Sequence, residues 1–447
     1  MQRRNKPDMT TGLERIASKA RQEPDLKFNN LTHHITIDLL GACLKTIPLD
    51  SAAGVDKLSV DDARAGFLQW WEECTAAVHN RGYRPPPVRR VLIPKPGKSE
   101  KRPIGVPTVY DRTLQRATAK VSESIYEQDF LEFSYGGRPN RNAHQAVSML
   151  KHVIANKKVS WVYEADLKNF FGSLDQSWVL TFLQHRVTDQ RILTLVRRWL
   201  TAGVMDNGTW EQSEKGTPQG GSCSVILSNL YLHYALDLWF EKIVKPRLQG
   251  EAYMVRYLDD FVVCFQLKGD AERFQNVLGK RLQKFGLELE PSKTQLFEFG
   301  RFEKRESQKK GRRSPTFCFL GFRFYGFRAK TGQYNVGAVV DSTRRNRFIN
   351  RLKESMRAMR HQSLKDQAKN INLKLRGYFN YFAIPLNSRR LGAIRFVAIR
   401  FWKSVLSTRS QSGKVRWEKF RKILENHPIV RPKLRFTNQE FNALWQS

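Results

Sequence analysis

Apolar positions along this chain follow two rhythms, one of period two and one near 3.6. The run AYMVRYLDDFVVCF sets apolar and β-branched residues on both sides of Tyr257-Leu258-Asp259-Asp260. It predicts strand, tight turn and strand over 253–265, with Asp259 and Asp260 at the turn. Val88 to Ile93 and Val159 to Ala165 also read as strands, the second ending at Asp166, and Phe317 to Phe324 reads as the last strand. Helical spacing covers Leu31 to about His79, with Leu39, Leu40, Cys43 and Leu44 on one face and a break at 52–56. It returns over 111–131, up to about Leu200, over 225–240 and over 270–285. Tyr83-Arg84-Pro85-Pro86-Pro87 marks a break, because consecutive prolines exclude helix. Pro94 to Lys98 reads as a basic turn, Ile104 to Pro107 as a strand end, Gly216 to Ser222 as a Gly-rich loop and 301–314 as a charged, exposed loop. Residues 1–28 read as a polar tail or a loosely held helix. Past Val340 the pattern turns to helix with abundant Arg and Lys around a stripe of Phe348, Leu352, Met356 and Met359, which predicts a separate helical domain from about 340.

Size and charge narrow the class. The 447 residues allow two or three domains, and 40% apolar content allows a substantial core. Lys and Arg number 77 against 42 Asp and Glu, a net +35, which implies a polyanionic partner, most simply nucleic acid. Basic ribosomal or chromatin-like proteins are usually short or low in complexity, unlike this chain, and charge spread over its whole length fits a membrane surface poorly. No stretch approaches the roughly 18 apolar residues of a membrane span, and the N-terminal MQRRNKPDMTTGLER has no apolar signal core. The five cysteines are isolated and three sit in apolar runs, so reduced core thiols and a cytoplasmic location are expected. With no C-x-x-C pair, neither a zinc ribbon nor a zinc-dependent nuclease is expected.

Two carboxylates set between apolar strands are costly unless a cation meets them. Mg²⁺ suits them, because it takes carboxylate oxygens and shares them with phosphates; Mn²⁺ is the alternative. Polymerase chemistry needs such a site, with one ion activating a primer 3′-hydroxyl and a second holding the triphosphate. One Asp at a strand end and an Asp pair on a neighbouring hairpin would supply it, as Asp166 and Asp259-Asp260 could. They lie 93 positions apart, and spacing alone leaves open whether they meet.

The chain resembles the bacterial group II intron reverse transcriptases, or maturases, from about Leu31 to Tyr381. The resemblance rests on Arg102-Pro103-Ile104-Gly105-Val106-Pro107, Ser134-Tyr135-Gly136-Gly137-Arg138-Pro139 and Asp166-Leu167-Lys168-Asn169-Phe170-Phe171. It continues through Lys215-Gly216-Thr217-Pro218-Gln219-Gly220-Gly221, the Y-x-D-D box, Pro291-Ser292-Lys293-Thr294 and Phe319-Leu320-Gly321-Phe322, in the family's order. It implies an α+β right-hand polymerase: an N-terminal extension (1–75) whose segment Leu31 to Asp56 matches the part that covers the template, fingers and palm (76–327), and a helical thumb or domain X (340–447). It implies RNA-directed and DNA-directed DNA synthesis, with Asp166, Asp259 and Asp260 as metal ligands, template-primer duplexes and dNTPs as partners, and a monomer or homodimer.

Other roles carry over residue by residue. Lys95 and Arg102 match fingers residues that hold triphosphate oxygens, although Lys95 alone would read as a solvated turn lysine. Phe171 matches the ring under the sugar that disfavours a 2′-hydroxyl; its rival is a core Phe beside Phe170. Gln219 matches a nucleotide contact, against a plain turn residue. Lys293 matches a basic residue near the incoming nucleotide, with a structural role equally open. Phe319 to Phe322 matches a primer-gripping strand, and Arg376 to Phe382 the start of domain X, where helix packing is the better reading of the aromatics.

The chain also departs from the family pattern. Leu258 stands where the intron proteins usually carry Ala, and Gly137 where Phe usually precedes Arg-Pro. Ser222-Cys223-Ser224-Val225 replaces an aliphatic-Ser-Pro run, and one residue is added between Lys95 and Arg102. With the acids intact, these changes fit a relative with a changed task. Intron-free relatives adopted by hosts, one branch linked to DNA break repair by end annealing and gap filling, weigh equally here with a maturase that binds a group II intron RNA for splicing and retrohoming. A defence-associated reverse transcriptase is a third reading. Leu258 is expected to tune primer or template geometry rather than metal binding.

Overall fold

The computed structural model describes residues 9–94, 101–206, 208–211, 215–216, 221–303, 311, 314–409 and 414–446. The chain divides into two compact units. One comprises Met1–Asn142, Tyr163–Val263 and Gly269–Leu296; the other comprises Ala143–Val162, Cys264–Lys268 and Phe297–Ser447. The strands, numbered along the chain, are β1 (Val88–Pro94), β2 (Lys101–Val106), β3 (Trp161–Asp166), β4 (Val204–Asp206), β5 (Thr209–Glu211), β6 (Ala252–Tyr257), β7 (Asp260–Phe265), β8 (Gln295–Glu298), β9 (Phe317–Phe319), β10 (Phe322–Arg328) and β11 (Tyr334–Val340). They form three sheets in the orders β2-β1-β4-β5, β6-β7-β3-β8 and β11-β10-β9. The protein is of the mixed α+β class, as expected. Among the described residues no helix is long and apolar enough to cross a membrane.

The first unit is built around helix Val109–Tyr126, whose Leu114, Ala117, Val121 and Ile125 are buried. Thr108 caps it by accepting from the Asp111 N–H at 3.2 Å. The loosely held N-terminus expected from composition is corrected here. Helix Met9–Gln22 buries Ile16 and Ala20, and the Ala20 carbonyl accepts from buried Arg186 Nη2 at 3.0 Å. Just beyond it, Asp189 Oδ2 accepts from the N–H groups of Leu31 (2.7 Å) and Thr32 (3.0 Å) and from Thr32 Oγ1 (2.8 Å). Apolar content alone could not reveal this docking, because polar bonds do much of it.

The second unit gathers the C-terminal helices on β9–β11 and helix Ala143–Asn156, which the pattern analysis passed over. Ser148 Oγ donates to the Phe441 carbonyl at 2.6 Å, and Lys151 Nζ to Asn442 Oδ1 at 2.8 Å. The expected single strand 317–324 is broken at Leu320-Gly321, both with positive φ (51° and 82°), so the chain turns back on itself and β9 pairs antiparallel with β10. β11 follows, so Phe324 does not close the last strand. Of the predicted stripe, Leu352, Met356 and Met359 are buried. Helix Leu364–Phe382 and helix Ser388–Ser407 meet at fully buried Trp402, whose Nε1 donates to Gln367 Oε1 at 2.8 Å.

Candidate active site

The acidic hairpin forms, but its two-residue turn is Leu258-Asp259, one position earlier than expected, and Asp260 opens β7. Leu258 sits at φ +56°, a left-handed conformation that costs an L residue about 1–2 kcal/mol. β3 neighbours β7. The Ser160 N–H donates to the Phe265 carbonyl at 2.9 Å, so the start of β3 lies at the end of β7 and the strands run antiparallel. At the far end of the pair the charge of Asp166 is felt at both Asp259 and Asp260, so the end of β3 lies near the acidic turn. The separation that spacing left open is therefore closed by the sheet.

The electrostatics agree. Burial and the charges of Asp166, Asp259 and Glu164 push the Asp260 carboxyl up to about 7 against the pull of Lys293. Burial and Asp166 raise Asp259 as well, opposed by its own backbone N–H and by Lys293 and Arg102. Glu164 is a fourth acid that the motif search did not single out. It lies two positions before Asp166 on β3, on the same face by strand alternation, and accepts from Gln295 Nε2 at 2.7 Å. Burial raises it first, and the field of Asp166 adds to the shift. Lys293 closes the acidic side, its Nζ donating to Asp166 Oδ2. Burial opposes the Lys293 charge, but that bond and the fields of Asp166, Asp260 and Asp259 outweigh it and hold the ammonium above its usual range. The Glu290 N–H, bonded to the Asp166 carbonyl at 2.8 Å, positions the turn Pro291–Lys293.

Among the described residues no three His, Cys, Asp or Glu side chains enclose a metal site. The donor chemistry nevertheless fits a hard divalent ion. The charges of Asp166, Asp259 and Glu164 are all felt at Asp260, and a lysine ammonium is drawn onto Asp166.

Behind the turn lies a residue that sequence reasoning missed. Arg256 is fully buried and forms a two-pronged pair with equally buried Asp237, Nε to Oδ1 at 2.7 Å and Nη2 to Oδ2 at 2.5 Å. Its Nη1 donates to Asn229 Oδ1 and to the Leu258 carbonyl, both at 3.1 Å, and its Nη2 to Ser134 Oγ at 2.7 Å. Asn229 Nδ2 in turn donates to the Gly136 carbonyl at 2.7 Å. One guanidinium thus braces the carbonyl of the strained turn residue. An Arg at an inward strand position, with an Asp inside an apolar helix, was the available signal. At Gly136 a Cβ would lie 2.5 Å from Leu258 N, so only glycine admits the turn there. At Gly137, φ +69°, a Cβ would collide with Val225 Cγ1 and stand 3.2 Å from Leu258 Cδ2.

Of the paired phenylalanines, Phe170 enters the core and Phe171 stays half-buried, their rings edge-to-face at 5.4 Å. Gly216 meets this turn, its N–H bonded to the Leu174 carbonyl at 2.7 Å. The far end of the Gly-rich loop is held by Gln115 Oε1, which accepts from the Ser222 N–H at 2.8 Å. Gln115 itself is held by buried Asp111, which also accepts from Trp199 Nε1 at 2.7 Å and Tyr83 OH at 3.0 Å. Arg102 lies on β2 and is exposed. Lys95 with its basic turn, Gln219 with the middle of its loop, and most of the charged segment 301–314 lie outside the described residues.

Residues 93–324 match the family described as reverse transcriptase (RNA-dependent DNA polymerase). The chain is 30% identical over 230 residues to the group II intron-encoded protein LtrA of Lactococcus lactis subsp. cremoris, spanning 51% of this chain and 38% of that protein. It is 28% identical over 374 residues to protein YkfC of Escherichia coli (strain K12), spanning 75% and 93%. It is 25% identical over 182 residues to nuclear intron maturase 3, mitochondrial, of Arabidopsis thaliana, spanning 35% and 24%. The chain thus spans well under half of LtrA and most of YkfC.

Proposed function

The chain belongs to the reverse transcriptase family, in its group II intron-like branch, and we propose that it is an RNA-directed DNA polymerase that also copies DNA. The observation that supports this reading is the adjacency of β3 and β7, together with the charge of Asp166 felt at both Asp259 and Asp260. In this reading Asp166, Asp259 and Asp260 hold Mg²⁺, or Mn²⁺ as a substitute. Bound there, the metal would lower the pKa of a primer 3′-hydroxyl and neutralise the triphosphate. Arg102, whose charge is felt at Asp259, takes triphosphate oxygens together with Lys95. Phe171 presents its half-buried ring to the sugar, and Gln219 contacts the nucleotide. Lys293 stays paired with Asp166 until a nucleotide arrives. The substrates are dNTPs and RNA or DNA template-primers. The division into extension (1–75), fingers and palm (76–327) and thumb (340–447) belongs to the same proposal.

Replacement of Asp259 by Ala should abolish primer extension while leaving fold and template binding intact; extension that survives refutes the assignment. A maturase role is the second reading, favoured by the Arg-rich helices after Val340. If that role is native, a group II intron ribozyme should flank the reading frame. Its absence would favour host repair by end annealing and gap filling.

A further inference from the structure

The second unit contains a cavity of about 610 Å³ whose walls come from three helices and one extended segment. Arg376 and Asn372 sit one turn apart on helix Leu364–Phe382, Arg395 on helix Ser388–Ser407, and Arg421 and Glu425 on helix Trp417–Asn426; Arg431 follows on the extended segment. Four arginines thus line one cavity with a single carboxylate residue. Among the described residues none of the four forms an ion pair, whereas other arginines of this chain, such as Arg138, Arg186 and Arg323, do.

The frame is rigid. Asn372 clamps the extended segment from both sides, its Nδ2 donating to the Pro428 carbonyl and its Oδ1 accepting from the Val430 N–H, each at 2.8 Å. The segment's Ile429 is buried, and its carbonyl accepts from Arg395 Nε at 3.2 Å. That bond orients Arg395 and leaves both of its terminal nitrogens unspent. Burial and the nearby charge of Arg431 disfavour the Arg395 cation. An anion bound among these arginines would relieve that repulsion at Arg395.

A carboxylate would answer one guanidinium, and an internal phosphodiester carries a single charge and two continuing chain directions. A terminal phosphomonoester is a near-dianion with three free acceptor oxygens, which suits several guanidiniums lining one cavity. We propose that this cavity binds the terminal phosphate of a nucleic-acid strand. The identity of the strand rests on the polymerase reading; the phosphate chemistry does not. The C-terminal helices thereby distinguish phosphorylated ends from hydroxyl ends.

The test uses the full chain and internally labelled single-stranded DNA oligonucleotides ending in 5′-phosphate, 3′-phosphate or hydroxyl only, followed by fluorescence anisotropy at fixed salt. The wild type should bind one phosphorylated oligonucleotide about tenfold more tightly than the hydroxyl form, as expected for a set of charge-assisted bonds; the two phosphorylated arms identify which end is read. Arg395→Gln with Arg431→Gln should erase that preference and leave hydroxyl-ended binding nearly unchanged. Arg421→Gln, on an exposed helix position, should halve the preference or more without touching the frame. Equal affinity for all three ends in the wild type, or a preference untouched by the variants, overturns the proposal. Because the assay reads binding, it stands apart from the polymerase reading. A chain that prefers phosphorylated ends but extends no primer refutes that reading alone.

Discussion

The brace behind the acidic turn yields the sharpest expectation. Arg256 and Asp237 are both wholly buried, so Arg256→Met strands a carboxylate without its ion-pair partner and should cost about 3–5 kcal/mol of unfolding free energy. That loss includes the acceptors on Asn229, Ser134 and Leu258 left without a donor. A second change, Asp237→Leu, removes the stranded charge. The pair Arg256→Met/Asp237→Leu should regain stability to within about 1–2 kcal/mol of the wild type, since an apolar pair of similar volume often replaces a buried ion pair at little cost. Activity should not follow stability. Nothing in the double variant holds the Leu258 carbonyl, and a left-handed leucine released from its brace relaxes away from φ +56°. Asp259, the next residue, moves with it, and a displacement near 1 Å costs about 10²-fold in rate. Urea unfolding gives the stability, and single-turnover primer extension across a Mg²⁺ titration gives rate and metal midpoint. A double variant that is stable and extends at the wild-type rate and midpoint would show that Arg256 serves the fold alone.

Other expectations follow from neighbouring contacts. Gly137→Ala forces a Cβ onto Val225 Cγ1 at a positive φ and should destabilise by about 1–3 kcal/mol. Val225→Ala and Leu258→Ala should each recover part of that loss, and strictly additive unfolding energies would disprove the coupling. Leu258→Ala alone should change extension from long primers and the filling of short-overlap ends by different factors; equal rates in both assays would make Leu258 packing only. Burial, then the charges of Arg256, Arg138 and Lys242, press the His233 imidazole down to about 3 from an unfolded value near 6.5. Below pH 6.5 the unfolded chain takes up a proton that the folded chain refuses, so this contribution is complete above 6.5 and shrinks by about 1.4 kcal/mol per pH unit between there and 3. Asp111, raised by burial to about 6, shifts stability in the opposite sense, so the wild-type curve alone is not diagnostic. Subtracting the His233→Phe curve from the wild-type curve isolates the imidazole, and a flat difference between pH 6 and 4 would exclude it.

What could be read from the sequence, and what could not, follows the range of the interactions involved. Alternation over 253–265 foretold the acidic hairpin, because period two is a local property of a strand that buries one face. The helix expected over 111–131 was legible from its apolar spacing, although it spans Val109–Tyr126 and so ends five residues sooner. The docking of 9–22 was not, since it depends on a buried arginine more than 160 positions away donating to a carbonyl. The break at Leu320-Gly321 hid inside an apolar run, because Leu320 adopts a left-handed conformation that its residue type does not announce. The departures from the family pattern teach the most. Leu258, Gly137 and Val225 lie far apart in the chain and read there as unrelated changes. In the fold, Val225 fills the place where a side chain at position 137 would begin, and Leu258 Cδ2 stands beside it. A larger residue in the acidic turn, a glycine opposite it and a β-branched residue in place of proline are therefore one packing arrangement. A single reversion should then harm the protein more than a joint one, and the added bulk at Leu258 belongs to the wall behind the acidic residues as well as to the turn itself.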